Sequence, residues 1–136
     1  MAVTFVFNTW LLAQAIHPFI FHFWLSQGGS DFDLGEHLQW ALLVFIFTVP
    51  AFGLCVGLIN PVCKLNVAKS TRFLLWLAIT VLSVPATIFL IAMLFGGMSF
   101  FLALVDLLLP GCLSAGLAAT LRYRQFFQLQ RLHHAT

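Results

Sequence analysis

Charge is what this 136-residue chain has least of. Asp, Glu, Lys and Arg together make up 7% of it, four acids and six bases, against roughly a quarter in a soluble domain. A surface so short of charge cannot be wetted, and the 62% apolar content with a mean hydropathy of +1.04 excludes a soluble or secreted globule. Sixteen phenylalanines and four tryptophans would form aggregating patches in water but meet acyl chains in a bilayer. Nucleic acid is not an expected partner; membrane lipid is.

Paired cysteines are also missing. Cys55, Cys63 and Cys112 form an odd set without a C-x-x-C motif, so no disulfide framework or dithiol redox centre is expected and the thiols read as structural. Nor does any span set a nucleophile beside a base with an orienting third group, so an enzyme is not the expected class. The first apolar stretch has no basic n-region and no small-x-small cleavage site, which makes it a permanent helix rather than a secretory leader. It also has no acid of the kind that small multidrug exporters carry there, and the glycine-rich signature of fluoride channels is absent.

What is present is four apolar runs, at residues 3–25, 38–59, 73–95 and 100–120, each long enough for a hydrocarbon core that takes about 20 helical residues. They are joined by residues 26–37, residues 60–72 and a tight Gly96-Gly97-Met98-Ser99 turn. The expected fold is all-α: a polytopic membrane protein with four transmembrane helices in an up-down bundle, residues 1–136 forming one transmembrane domain. Lys64, Lys69, Arg72, Arg122, Arg124 and Arg131 all fall on one side of this layout. The positive-inside rule therefore places both termini in the cytoplasm, with a bacterial inner membrane as the expected location. Asp31, Asp33 and Glu36 fall on the other side. The basic tail, 121–136, mixes arginines with Tyr123, Phe126, Phe127, Leu129 and Leu132, and reads either as a stop-transfer flank or as a segment lying along anionic headgroups.

Each run carries one internal proline, Pro18, Pro50, Pro85 or Pro110. Each should kink its helix and free the carbonyl four residues back, on Gln14, Ile46, Val81 or Asp106. Such defects are tolerated where neighbouring helices or polar groups satisfy the loosened backbone. Small residues recur at Gly53 and Gly57, and at Gly111, Ala115 and Ala119. These flat stripes permit close helix approach, within the bundle or in a homo-oligomer or complex with other membrane subunits.

Five histidines and one intramembrane acid are the chemistry-bearing residues. By helical rise His17 and Asp106 lie at matching depth, roughly 12 and 10 Å below the same face, so an Asp106–His17 pair with Gln14 nearby is the expected intramembrane polar site. His22 and His37, with Asp31, Asp33 and Glu36 between them, could hold a divalent metal or haem at the outer face. No known motif has this spacing, and no cofactor is predicted; with Trp24 and Trp40 the two rings also suit interfacial anchoring. The function expected is a non-catalytic scaffold, sensor or accessory subunit of a membrane complex. The alternative is a small homo-oligomeric channel or transporter using Asp106 and His17, and the third reading is a haem- or metal-binding membrane subunit.

Overall fold

A computed structural model describes the backbone of residues 1–25, 34–95 and 97–133. Side chains are described for the same residues except 25, 34, 36–38, 40, 41, 43, 100, 101, 103, 104 and 130–133. Among the described residues there is no strand. The helices are α1 (Ala2–Leu25), α2 (Leu34–Phe47), α3 (Val49–Lys64), α4 (Lys69–Phe95), α5 (Gly97–Leu104), α6 (Leu108–Leu121) and α7 (Tyr123–His133), with a 3-10 turn at Val105–Leu107. Three stretches, Ala2–Trp24, Val44–Lys64 and Lys69–Phe95, are long and apolar enough to cross a membrane. A fourth qualifies when Val105–Leu121 is joined to Tyr123–Leu129 across a 59° bend. The chain is thus an all-helical membrane protein with three or four spanning segments.

The breaks follow the prolines unevenly. Pro50 sits in the first turn of α3, where its missing N–H costs nothing, and Thr48 separates α2 from α3 while keeping the backbone ladder nearly intact: Thr48 N–H donates to Val44 O at 2.9 Å and Phe52 N–H to Thr48 O at 3.0 Å. Pro110 likewise lies in the first turn of α6, just after the 3-10 turn. Pro18 and Pro85 are accommodated inside unbroken helices. A fifth proline, Pro61, was expected in a loop but lies inside α3, which runs on to Lys64. The carbonyl freed by Pro85 has a partner on the next span, for the Cys112 thiol donates to Val81 O at 3.8 Å. Gly97, with φ 64°, supplies the left-handed turn that reverses the chain between α4 and α5.

Helix α1 packs against α3 and α6, and α4 packs against the same two, so these four surround a common interior. Helix α7 touches all four. It does so by sending Phe126 and Leu129 into the cluster formed by Phe5, Val6, Ile59, Val62, Cys63, Phe73 and Trp76. Phe126 lies 5.7 Å from Phe73, 6.0 Å from Phe5 and 6.3 Å from Trp76 between ring centroids, within the range of favourable aromatic pairing. The tail is therefore more than a flank or a headgroup ribbon; its first two turns close the end of the bundle. Two arginines hold the same end. Buried Arg72 donates to Val67 O at 3.1 Å and, at the end of α3, to Cys63 O at 3.4 Å, a favourable place for a cation. Arg122 lies over the Phe5 ring, 5.4 Å from its centroid.

The two small-residue stripes part company. Gly111 faces α4 so closely that an added Cβ would sit 2.8 Å from Val84 Cγ1, and Ala115 and Ala119 are buried. An added Cβ at Gly53 or Gly57 meets nothing within 4 Å, and both glycines are exposed. One substitution should therefore act with opposite sign at two positions. Gly111→Ala should lower the thermal midpoint in detergent, a cost of about 1–3 kcal/mol for overpacking, relieved by Val84→Ala. Gly53→Ala should leave the midpoint unchanged or raise it, by up to about 1 kcal/mol of helix propensity.

Candidate functional site

The interior of the bundle is not filled. A cavity of about 80 Å³ lies between α1, the α2–α3 junction, α4 and α6. Its length follows from the lining: Val6 and His17 both border it, and eleven residues of helix span about 16 Å. At one end it stops on Trp76, which is fully buried within the aromatic cluster. At the other end stands His17, also buried, its ring stacked on Phe21 with centroids 5.8 Å apart.

The wall combines apolar side chains with a column of hydroxyls. On α4 the buried positions Trp76, Thr80, Ser83, Thr87 and Ile91 follow a spacing of three and four, so they share one face. Opposite them stand Thr9 on α1 and Ser114 on α6, both buried. Most of these hydroxyls turn back on their own helix: Thr9 donates to Phe5 O at 2.8 Å, Thr80 to Trp76 O at 2.9 Å, Ser83 to Thr80 O at 2.8 Å and Ser114 to Pro110 O at 2.6 Å. This back-bonding is the usual way for a hydroxyl to exist in a helix without water. Cys55 adds a weak donor to Ser83 Oγ at 3.8 Å. Among the described residues that line the cavity none is Asp, Glu, Lys or Arg.

Thr48 organises the upper wall. Its hydroxyl accepts from Trp10 Nε1 at 3.0 Å and from Gln14 Nε2 at 2.7 Å, and donates to Phe45 O at 3.1 Å. The break between α2 and α3 is thus tied to α1 by two side-chain bonds.

The expected site residues divide accordingly. Gln14 and His17 both line the cavity, but Gln14 is engaged with Thr48. Asp106 lies on the 3-10 turn and is exposed; among the described residues no hydrogen bond or ion pair joins it to His17 or Gln14. The reason is local: the break at Val105–Leu107 resets the rotation of the span, so equal depth does not bring the two side chains to one face. Of the outer His/carboxylate cluster, Asp31 and Asp33 lie outside the described residues, as do the side chains of Glu36 and His37. His22 is half-buried near the end of α1. Among the described residues no three His, Cys, Asp or Glu side chains are grouped to hold a metal.

Sequence reasoning that followed ionisable groups missed Trp76, Thr80, Ser83, Thr87, Ser114 and Thr48. The signal was there in α4: hydroxyls at 80, 83 and 87 recur at helical spacing in an otherwise apolar span.

No known protein family matches this chain, and no curated protein or solved structure is detectably similar to it.

Thr48→Val removes the acceptor of two part-buried donors and should lower stability in detergent by about 1–2 kcal/mol, the upper range for polar contacts between membrane helices. Thr48→Ser retains the oxygen and should stay within about 0.5 kcal/mol of the parent. Thermal unfolding of the two variants side by side checks this.

Proposed function

We propose that this chain is a non-catalytic accessory or sensor subunit of a membrane complex. It crosses a bacterial inner membrane four times in alternating directions, with both termini in the cytoplasm. The orientation rests on the clustering of Lys64, Lys69, Arg72, Arg122 and Arg124 at one end of the layout.

The observation that carries the reading is the outward-facing Asp106. It lies on the 3-10 turn, exposed, about 14 Å of rise after Gly97 and at the second residue of the spanning stretch Val105–Leu121. A carboxyl group facing lipid costs up to about 2.5–3.5 kcal/mol on insertion scales, the value for the middle of a span. That cost falls when a neighbouring helix brings a donor to it, as polar residues between membrane helices do. The exposed, flat Gly53 and Gly57 face offers a partner helix a second place of close approach. The aromatic layer of Phe5, Trp76 and Phe126 supports a subunit rather than a pore, because it closes the interior at the basic end.

The same outward acid favours a second reading, a homo-oligomeric channel or transporter in which Asp106 of several copies faces a shared path. Asp106→Asn distinguishes the two when three quantities are read together. The subunit reading expects an unchanged thermal midpoint, loss of proteins copurifying from native membranes, and no ion or solute flux from parent protein in liposomes. Flux from the parent that Asp106→Asn abolishes establishes the transport reading instead, and a matching fall in folding and copurification makes Asp106 structural and overturns both.

A further inference from the structure

The hydrogen-bond inventory of the cavity is unbalanced. The hydroxyl protons of Thr9, Thr80, Ser83 and Ser114 are all spent on backbone carbonyls of their own helices, so these groups offer the cavity lone pairs and no protons. Among the described residues three buried side-chain atoms have no hydrogen-bond partner, Arg122 Nε at the basic end and, on α4, Trp76 Nε1 and Thr87 Oγ1. Trp76 and Thr87 line the cavity, 0% and 2% exposed respectively. The indole N–H is a donor only and cannot rotate to find another use. Leaving it bare in a low-dielectric interior costs about 1–3 kcal/mol. The orphan donor therefore calls for an acceptor.

Charge and size define that acceptor further. Among the described residues no Asp, Glu, Lys or Arg borders the cavity, so an ion bound there would find no fixed counter-charge from them and an uncharged guest is favoured. A cavity of about 80 Å³ exceeds several-fold the roughly 10–15 Å³ that one water needs, and a water also needs two to four polar partners. Around Trp76 the lining includes Val6, buried in the same cluster, and Phe52, which packs against that cluster. Walls of this kind stay dry and take up small organic molecules. The aromatic contacts of Trp76 with Phe5 at 5.9 Å and Phe126 at 6.3 Å hold the indole in place as a fixed floor. Along α4 Trp76 and Thr87 are eleven residues, or about 16 Å, apart. A molecule of a few heavy atoms therefore engages one of them, and the rigid indole is the better-defined anchor.

We propose that the Trp76 end of the bundle cavity is a binding site for a small uncharged organic molecule carrying a carbonyl or hydroxyl oxygen. That oxygen accepts from Trp76 Nε1–H, the apolar body lies against Val6 and Ala115, and a guest hydroxyl, where present, donates to a lone pair of Thr80 or Thr9. The site stands on the cavity alone and does not depend on a partner at Asp106.

The test uses the full chain in lipid nanodiscs with ¹⁵N-labelled tryptophan, the Trp76 indole resonance being assigned by its loss in Trp76→Phe. Cyclohexanone and cyclohexane, matched in shape and differing in the acceptor oxygen, are titrated in parallel. The expected result is a saturable shift of the Trp76 indole proton with cyclohexanone and an apparent affinity at least about tenfold weaker for cyclohexane. Saturation-transfer signals from bound cyclohexanone should weaken about tenfold in Trp76→Phe, whose thermal midpoint reports whether it remains folded. In the parent protein, a non-saturable shift, an equal response to both probes, or an unmoved Trp76 resonance that exchanges with water would each overturn the proposal, the last by assigning the cavity to solvent.

Discussion

Lipid offers no hydrogen bonds, and that single fact governs how this chain can fold. Backbone groups and hydroxyls inside the bilayer are driven to find partners within the protein, and the chain carries prolines in all four apolar runs together with threonines and serines throughout. Its answer is to bend where a neighbour can help and to turn hydroxyls back on their own helices. Thr48 shows both devices at once. It sits at the break between α2 and α3, donates to Phe45 O, and gathers Trp10 and Gln14 from α1. The carbonyl loosened by Pro85 is reached by Cys112 from the adjacent span.

The consequence is a mostly apolar interior in which hydroxyls stand among hydrocarbon side chains. Hydroxyl oxygens line α4, α1 and α6, while the cationic groups that the structure describes remain at one end, where Arg72 holds the end of α3 and Arg122 covers Phe5. Beneath the cavity an aromatic layer joins Phe5, Phe73 and Trp76 to Phe126 of α7. The C-terminal helix is thus part of the bundle core, and the cavity floor and the basic end share one set of rings. Asp106, the one acid expected inside the membrane, is exposed instead, which is why it directs attention to what lies outside the bundle.

How much of this was legible in the sequence differs by level. Span existence was, because about 20 apolar residues per crossing is a demand of bilayer thickness, and α1 and α4 lie where hydropathy put them. The breaks near Pro50 and Pro110 were legible as kinks, though not that these two would begin new helices while Pro18 and Pro85 would not. Helix rotation was not legible. In water the apolar stripe of a helix marks its buried face, but in a membrane the lipid side and the packed side are both apolar, so periodicity says little about which way Gly53 or Asp106 points. The pairing of Asp106 with His17 depended on rotation, and the 3-10 turn altered it. The span-four stripe of Gly111, Ala115 and Ala119 turned inward and that of Gly53 and Gly57 outward, a distinction invisible in residue type.

An oxygen-accessibility scan along α4 tests the inward-facing hydroxyl column most directly. Single spin labels would be placed between residues 74 and 94 in lipid, after Cys55, Cys63 and Cys112 have been replaced. The structure predicts high collision rates with dissolved oxygen at the exposed positions Leu74, Leu82, Leu90 and Leu94 and low rates at Thr80, Ser83 and Thr87. High rates at Thr80, Ser83 and Thr87, with protection at the leucines, would put the hydroxyls in lipid and contradict the account.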